Sequence, residues 1–287
     1  MKLWGEITMN KKMGILGITL AAGFILGGCG TKAASTKSAD SNVKTIVVGT
    51  SGMPKPFTYA DENGKLAGYD IDTVRALDKE LKQYKFEFKK TEITSVLAGL
   101  DAGRFQIGAN NFGYNDERAE KYLYTKPTFQ DWFVLVVRNN NQTIKQFADV
   151  AGKTTVATPG VNFTMALEKF NKTASTKTKI TYSQEDPAKQ VQDISSGKYD
   201  YALIDKPLFD AYKKEFKLTN LKGLDLSTSD EKKVTPRTPY SYLLVSKTDG
   251  GQQLVKDLNK AIVKIQADGT QAKISQKYFG EDYVPGK

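Results

Sequence analysis

Arg118 is the residue of this sequence whose type and position most clearly suggest a chemical role. It follows an apolar run, Phe105–Ala109, and a polar segment, Asn110–Gly113, and it stands in the first turn of a predicted helix. Asn115 suits the N-cap of that helix, because its side chain can accept a backbone N–H. Strand, polar loop and helix start form the arrangement in which α/β folds bind ligands at the carboxyl ends of strands. The planar guanidinium is suited to a small carboxylate through paired hydrogen bonds, whereas an isolated helix arginine would merely be solvated.

The histidine and cysteine content limits the catalytic chemistry. The sequence of 287 residues includes no histidine and one cysteine, Cys29. Serine–histidine and cysteine–histidine catalysis therefore lack their base, and the commonest metal ligand is missing. A lone carboxylate such as Asp205 or Glu117 remains available as an acid catalyst. The sequence predicts a binding protein without cofactor or metal, with an enzyme that uses such a carboxylate as an alternative.

The N-terminal residues have the pattern of an export signal. Lys11 and Lys12 precede an apolar run, Met13–Leu26, and two glycines and Cys29 follow. The run is shorter than the ~20 apolar residues of a spanning helix, so we expect a cleaved signal over residues 1–28. The end of the run resembles the lipobox of bacterial lipoproteins, which implies lipid on the Cys29 sulfur. Residues 29–43 are small and polar and predict a flexible tether from the membrane to the folded body.

The charge of the chain is strongly basic. It contains 42 Lys and Arg against 32 Asp and Glu, a formal net charge of +10. Nucleic acid is the least expected partner, because the lysines are scattered and form no dense block with interleaved aromatic residues. An anionic cell wall or membrane remains a possible partner, so a surface adhesin is a second alternative function.

Short apolar runs and amphipathic stretches alternate along the rest of the chain, as in α/β folds with mostly parallel sheets. The predicted strands are Thr45–Gly49, Tyr84–Phe88, Phe105–Ala109, Trp132–Val137, Thr154–Ala157, Lys179–Tyr182, Tyr199–Ile204 and Pro239–Val245. The predicted helices are Asp70–Leu81, Val96–Leu100, Phe163–Phe170, Pro187–Ser196, Lys206–Phe216, Gly251–Ala267 and Gln271–Tyr278.

This series divides into two groups joined by single apolar strands. We expect one lobe from residues 44–131 and 238–287 and a second lobe from residues 132–237. The chain then crosses between the lobes twice, near Trp132 and near Pro239, and two crossings make a hinge. The cleft between such lobes is the expected place for a ligand.

Short motifs in order along the chain carry a resemblance to a known family: Pro56–Tyr59, Asn63–Asp72, Leu97–Phe105, Asn115–Arg118, Asp149–Lys153, Ser196–Asp200 and Ala267–Thr270. Over about residues 45–280 the chain resembles the polar amino-acid substrate-binding lipoproteins of ABC importers, solute-binding protein family 3. The resemblance implies a two-lobed, type II periplasmic-binding-protein-like fold with a two-strand hinge. It also implies a monomer that traps a free amino acid between its lobes and delivers it to the permease subunits of the importer.

The resemblance also implies roles for particular residues. Arg118 would hold the α-carboxylate of the ligand, helped by the backbone N–H groups of Gly113 and Asn162. Asp205 would bind the α-ammonium, with Asn111 sharing that work through its carbonyl. The remaining predicted ligand contacts are Phe57, Phe112 and Ile93. Asp205 can alternatively serve only as the cap of the helix that starts at Lys206.

The same comparison bears on the ligand side chain. Lysine- and histidine-binding members carry an acid where this chain has Ser51, which speaks against a basic amino acid. The segment Ala109–Gly113, with Glu117–Tyr122, looks most like the cystine-binding branch. We therefore expect L-cystine or a related sulfur amino acid, with a lyase-type enzyme on the same fold and a surface adhesin as the alternatives.

Overall fold

The first strand lies inside a six-stranded sheet that forms the centre of the first of two lobes. The computed structural model describes residues 43–286, and they belong to one compact unit. The strands are β1 Lys44–Thr50, β2 Tyr59–Ala60, β3 Leu66–Ala67, β4 Tyr84–Lys90, β5 Ile107–Gly113, β6 Tyr122–Tyr124, β7 Phe129–Gln130, β8 Phe133–Arg138, β9 Thr154–Ala157, β10 Lys179–Tyr182, β11 Tyr201–Asp205, β12 Leu221–Asp225 and β13 Tyr240–Ser246.

Helices cover the faces of these sheets. They are α1 Tyr69–Glu80, α2 Ile93–Asp101, α3 Asp116–Lys121, α4 Asn162–Thr173, α5 Pro187–Ser195, α6 Lys206–Glu215, α7 Thr228–Val234, α8 Gly251–Ala267 and α9 Thr270–Phe279, with a short 3-10 helix at Phe147–Val150. In the part of the chain from residue 43 to residue 286, no helix has both the length and the apolar character needed to cross a membrane.

The first lobe is built on the sheet of order β4-β1-β5-β13-β6, with β7 paired to β13. β1 runs parallel to β4 and β5, whereas β13 runs antiparallel to β5. α1 places Val74 and Leu77 one turn apart, and both pack with Ile46, Leu258 and Ile262 in one buried cluster. This spacing of apolar residues on α1 is what fixes the helix against the sheet.

The second lobe is built around β8, which pairs antiparallel with β11 on one side and β12 on the other. Successive side chains of β8 point to opposite faces of the sheet. Val134 and Val136 pack with residues of α5 and α6, while Leu135 and Val137 pack with Phe147 and residues of α4. Because both faces are covered by core, the strand consists of an uninterrupted apolar run.

The two lobes are joined by two neighbouring crossing segments. Asp131 N–H donates to the Pro239 carbonyl at 2.7 Å, so the two segments bond directly to each other. Lys206 N–H donates to the Trp132 carbonyl at 2.8 Å, which fixes the end of β11 beside the same place. The predicted two-lobed α/β class is confirmed.

Several local predictions differ from the structure. The segment from Asn110 to Gly113 was expected to form a loop, but β5 continues through it, because β13 pairs Ser241 with Gly113 and Tyr242 with Phe112. β6, β7, β12 and α7 were not predicted, since each is short and carries little periodicity of its own. The predicted signal sequence, the Cys29 lipidation site and nearly all of the tether lie outside the described residues.

Candidate ligand-binding site

A cleft between the two lobes brings together most of the predicted site residues. It contains about 1080 Å³ of empty space, open solvent included. Phe112, Gly113 and Arg118 line it from the first lobe, and Asn162 and Asp205 line it from the second. The site thus depends on both lobes and on the hinge that relates them.

Arg118 lies at one end of the cleft on the short helix α3. The helix begins where predicted, because Asn115 Oδ1 accepts the Arg118 N–H at 2.7 Å. The guanidinium donates from one terminal nitrogen to the Gly113 carbonyl at 3.0 Å and from the other to the Gly160 carbonyl in the second lobe. It also lies 5.1 Å from the centre of the Phe112 ring.

This guanidinium is a buried cation without a counter-anion among residues 43–286. Arg118 is 5% exposed, and its Nε has no hydrogen-bond acceptor in that range. Burial lowers the pKa of the guanidinium from its ordinary value. A buried charge is costly unless it is paired, so this end of the cleft favours an anion such as a carboxylate.

Asp205 lies at the carboxyl end of β11 and is 2% exposed. It stands at the N-cap position of α6 but makes no side-chain capping bond, so the capping interpretation is wrong. Its carboxyl lies against that of Asp131, and Asp205 Oδ2 has no donor among the described residues when both groups are ionised. Burial raises the pKa of both groups, and the neighbouring Asp205 raises the pKa of Asp131 further.

Asn111 lies between two buried acids and has a strained backbone. Its φ of 49° is in the left-handed region that residues other than glycine rarely adopt. Its N–H donates to Asp70 Oδ2 at 2.6 Å, and its Oδ1 accepts from the Ser241 hydroxyl. Burial raises the pKa of Asp70 to about 7, although the Asn111 N–H opposes this. Asn111 is therefore held rigidly beside Asp205, whose pKa its side chain lowers.

Asn162 stands in the first turn of α4 and connects the lobes through its side chain. Its Nδ2 donates to the Tyr114 carbonyl at 3.1 Å, and its Oδ1 accepts from Asn115 Nδ2 at 2.8 Å. The hydroxyl of Thr235, also in the second lobe, donates to the same Tyr114 carbonyl at 3.2 Å. A Cβ at Gly113 would lie 2.4 Å from Asn162 Nδ2, so any side chain at this position would require Asn162 to shift.

The predicted apolar contacts divide into two groups. Phe112 and Ile93 line the cleft, as expected for ligand contacts. Phe57 does not: it is fully buried and packs edge-on against Phe129, with Phe279 on another side. Its assignment to the ligand site is therefore corrected to the aromatic core, because partners distant in sequence surround the ring.

Sequence reasoning missed two buried acids, Asp131 and Asp70. Asp131 lines the cleft, and Asp70 lies behind Asn111. Asp131 directly precedes the predicted crossing at Trp132, and this position at a hinge was a usable signal. Asp70 offered none beyond its place in the Asn63–Asp72 motif, because its contact with Asn111 depends on the packing of α1 against β5.

Two hinged α/β lobes around a cleft with a buried cation and buried acids define a solute-binding protein. The chain belongs to the bacterial extracellular solute-binding proteins, family 3, whose family model matches residues 46–281. The predicted family and the receptor class are thereby confirmed, and the relatives are binding proteins of ABC importers and not enzymes.

Named relatives and solved structures agree with this membership. The chain is 28% identical over 276 residues to the L-cystine-binding protein TcyJ of Bacillus subtilis, covering 96% of this chain and 97% of the relative. It is 33% identical over 240 residues to the L-cystine-binding protein TcyA of the same organism, covering 83% and 82%. A structure from work on glutathione import via GshT and the cystine ABC importer TcyBC of Streptococcus mutans is 38% identical, with a TM-score of 0.77 over 85% of this chain and 98% of that one.

Proposed function

We propose that this protein is the extracytoplasmic substrate-binding receptor of an amino-acid ABC importer and that its ligand is L-cystine or a related sulfur amino acid. The observation that carries the proposal is the pairing of Arg118 and Asp205 in one cleft. Arg118 lacks a counter-anion, and Asp205 Oδ2 lacks a donor within residues 43–286. A free amino acid supplies both missing groups, because it carries a carboxylate and an ammonium on the same carbon.

In this proposal Arg118 binds the α-carboxylate, with the N–H groups of Gly113 and Asn162 as further donors. The N-terminus of α4, a helix of 12 residues, favours an anion at Asn162. Asp205 binds the α-ammonium, with Asn111 beside it. Phe112 and Ile93 supply apolar contacts, and Phe57 supports the site from the core.

The cystine assignment is supported by the named relatives. It is also supported by Ser51, which stands where lysine- and histidine-binding members carry an acid. Ser51 is already engaged, since its N–H and its hydroxyl both donate to Asn110 Oδ1, at 2.7 and 2.8 Å. Serine also carries no charge, so this position offers no partner to a cationic side chain. Glutathione is a second candidate, favoured by the 38% identical structure from work on glutathione import.

The remaining parts of the proposal concern organisation and location. Residues 44–131 and 238–287 form the first lobe, residues 132–237 form the second, and the lobes close by rotation at the crossings. The signal over residues 1–28 is removed, Cys29 carries lipid, and residues 29–43 tether a monomer to the outer face of the membrane. The closed form then docks on the permease subunits.

Thermal unfolding against a panel of free amino acids and glutathione tests the proposal. The chain from residue 30 onward contains the whole compact unit from Asn42 to Lys287. A ligand that binds only the folded protein stabilises it by RT ln(1 + [L]/Kd) and raises the midpoint. We expect a shift with L-cystine and none with lysine or glutamate. A shift with glutathione alone would make glutathione, and not L-cystine, the ligand. The absence of a shift with every compound would contradict the receptor function.

A further inference from the structure

Asp131 and Asp205 approach each other from opposite sides of the hinge. Asp131 belongs to the crossing segment that leaves the first lobe, and its N–H is bound by the Pro239 carbonyl. Asp205 ends β11 in the second lobe, and the hydrogen bond from Lys206 N–H to the Trp132 carbonyl brings it to the same place. Both carboxyls line the cleft, with exposures of 3% and 2%.

The oxygens of this pair are only partly satisfied. Asp131 Oδ1 accepts the Trp132 N–H at 2.8 Å, while Asp205 Oδ2 has no donor among the residues that the structure describes. Two buried carboxylates in contact repel each other unless a proton or another cation lies between them. With both carboxyls ionised, the pair therefore lacks a cation to balance its charge.

The surroundings do not supply that cation. Glu231 of α7 and Tyr283 face Asp131, and Asp70 of α1 and Tyr212 of α6 face Asp205. The other charged residues that line the cleft are Glu92, Glu185 and Arg118. Arg118 donates instead to the carbonyls of Gly113 and Gly160, and no lysine is among the described lining residues.

We infer that Asp131 and Asp205 together form a two-carboxyl site for the ligand ammonium, in which the ammonium replaces a proton that the pair holds when the cleft is empty. Before binding, the two carboxyls share one proton, which makes a hydrogen bond between them. On binding, the –NH3⁺ group donates to both carboxylates, and the displaced proton passes to solvent. This inference rests on the proposed function and adds Asp131 to the site.

The exchange has two consequences for the receptor. The ammonium contacts one carboxyl from each lobe, so an amine ligand stabilises the closed hinge while a ligand with carboxylates alone does not. Protons and the ligand compete for the same place, so the affinity for an amine ligand falls as the pH is lowered. Both effects are properties of the pair and are not expected from Asp205 alone.

Calorimetry on the wild-type protein tests the exchange without any substitution. L-cystine and glutathione serve as separate probes, each titrated in two buffers of different ionisation enthalpy at about pH 6. The buffer dependence of the heat gives the number of protons released, and we expect about one per bound ligand. Tight binding with no proton release would overturn the exchange and leave the proposed function intact.

Asp131→Asn tests the second carboxyl, because asparagine retains the shape and the oxygen that accepts Trp132 N–H. We expect affinity to fall about 10- to 100-fold, the scale of one hydrogen bond between charged groups, and the proton release to disappear. Asp205→Asn should likewise bind the ligand more weakly and release no proton on binding. The control is Asp249→Asn, which changes an exposed acid outside the cleft. Wild-type affinity and proton release in Asp131→Asn would overturn the role of Asp131.

The ligand-free protein provides an independent measurement. The carboxyl pair stabilises the folded state while it holds its proton and loses that stability as pH rises. The unfolding midpoint of Asp131→Asn should therefore rise relative to that of the wild type as the pH increases above 3.8, the ordinary pKa of the carboxyl. If the unfolding midpoints of the variant and the wild type changed in parallel with pH, the shared proton would be contradicted. If the wild type binds neither probe, the proposed function and the exchange both fail, while this profile still decides whether the shared proton exists.

Discussion

Asn115 and Asn162 meet across the cleft, with Asn115 Nδ2 donating to Asn162 Oδ1 at 2.8 Å. The same Asn115 caps α3 through its Oδ1, which accepts the Arg118 N–H. One side chain thus orients the helix that carries the cation and also contacts the opposite lobe. The position of Arg118 and the approach of the lobes are therefore coupled through Asn115.

Asn162→Ala should weaken closure, because it removes two hydrogen bonds that cross the cleft. We expect about 10-fold lower affinity for the ligand, from roughly 1–2 kcal/mol of lost bonding, measured by calorimetry. Asn171→Ala is a matched control on the same helix, since Asn171 also makes two hydrogen bonds, both to Thr178 within the second lobe. Equal losses of affinity in the two variants would contradict a specific role in closure.

Arg118→Ala should abolish ligand binding while the fold is retained, because the guanidinium is the one cation among the described lining residues of the cleft. We expect a loss of more than about 100-fold, or ~3 kcal/mol, by calorimetry. Arg118→Lys keeps the charge but not the planar fork, so it should recover only part of the affinity. Arg75→Ala, which removes the ion pair with Asp72 outside the cleft, is the control. Unchanged affinity in Arg118→Ala would refute the site.

The pH dependence of stability should reveal Asp70. Burial raises the pKa of this carboxyl to about 7, so it contributes stability below its unfolded pKa of 3.8, and that contribution is lost as pH rises through about 7. Asp70→Asn lacks this loss, and its unfolding midpoint should rise relative to wild type between about pH 4 and 8. Thermal unfolding at several pH values measures the difference. A constant difference across this range would mean that Asp70 ionises normally.

Cys29→Ser should release the protein from the membrane fraction, because serine cannot accept the lipid through a thioether. Cell fractionation with an antibody against the folded body measures the distribution. Ser38→Ala, a change within the predicted tether, is the control and should leave the protein in the membrane fraction. Retention of Cys29→Ser would show that the lipobox interpretation is wrong.

Local signals in the sequence were sufficient for part of the site and insufficient for the rest. The start of α3 was predictable because capping by Asn115 depends on residues three positions apart. The extension of β5 to Gly113 was not, since pairing with β13 overrides the turn preference of asparagine and glycine. For Asp131, the sequence indicated its position beside the hinge but not its contact with Asp205, because that contact joins residues that are distant in the sequence.

The error at Phe57 has a similar origin. Its place after the first strand suggested a ring over the ligand, yet Phe129 and Phe279 enclose it from distant parts of the chain. Gly113 is a second position at which contacts from the other lobe matter. The space that a Cβ would need is occupied by Asn162 from the other lobe, and no pattern within β5 could indicate this.

The Tyr114 carbonyl accepts from both Asn162 and Thr235, and it belongs to the main chain. Any residue at position 114 would present the same oxygen, so substitutions there alter the packing of the ring against Tyr124 and Arg237 but leave the acceptor in place. Side-chain substitutions can therefore remove these two hydrogen bonds only at Asn162 and Thr235, both in the second lobe.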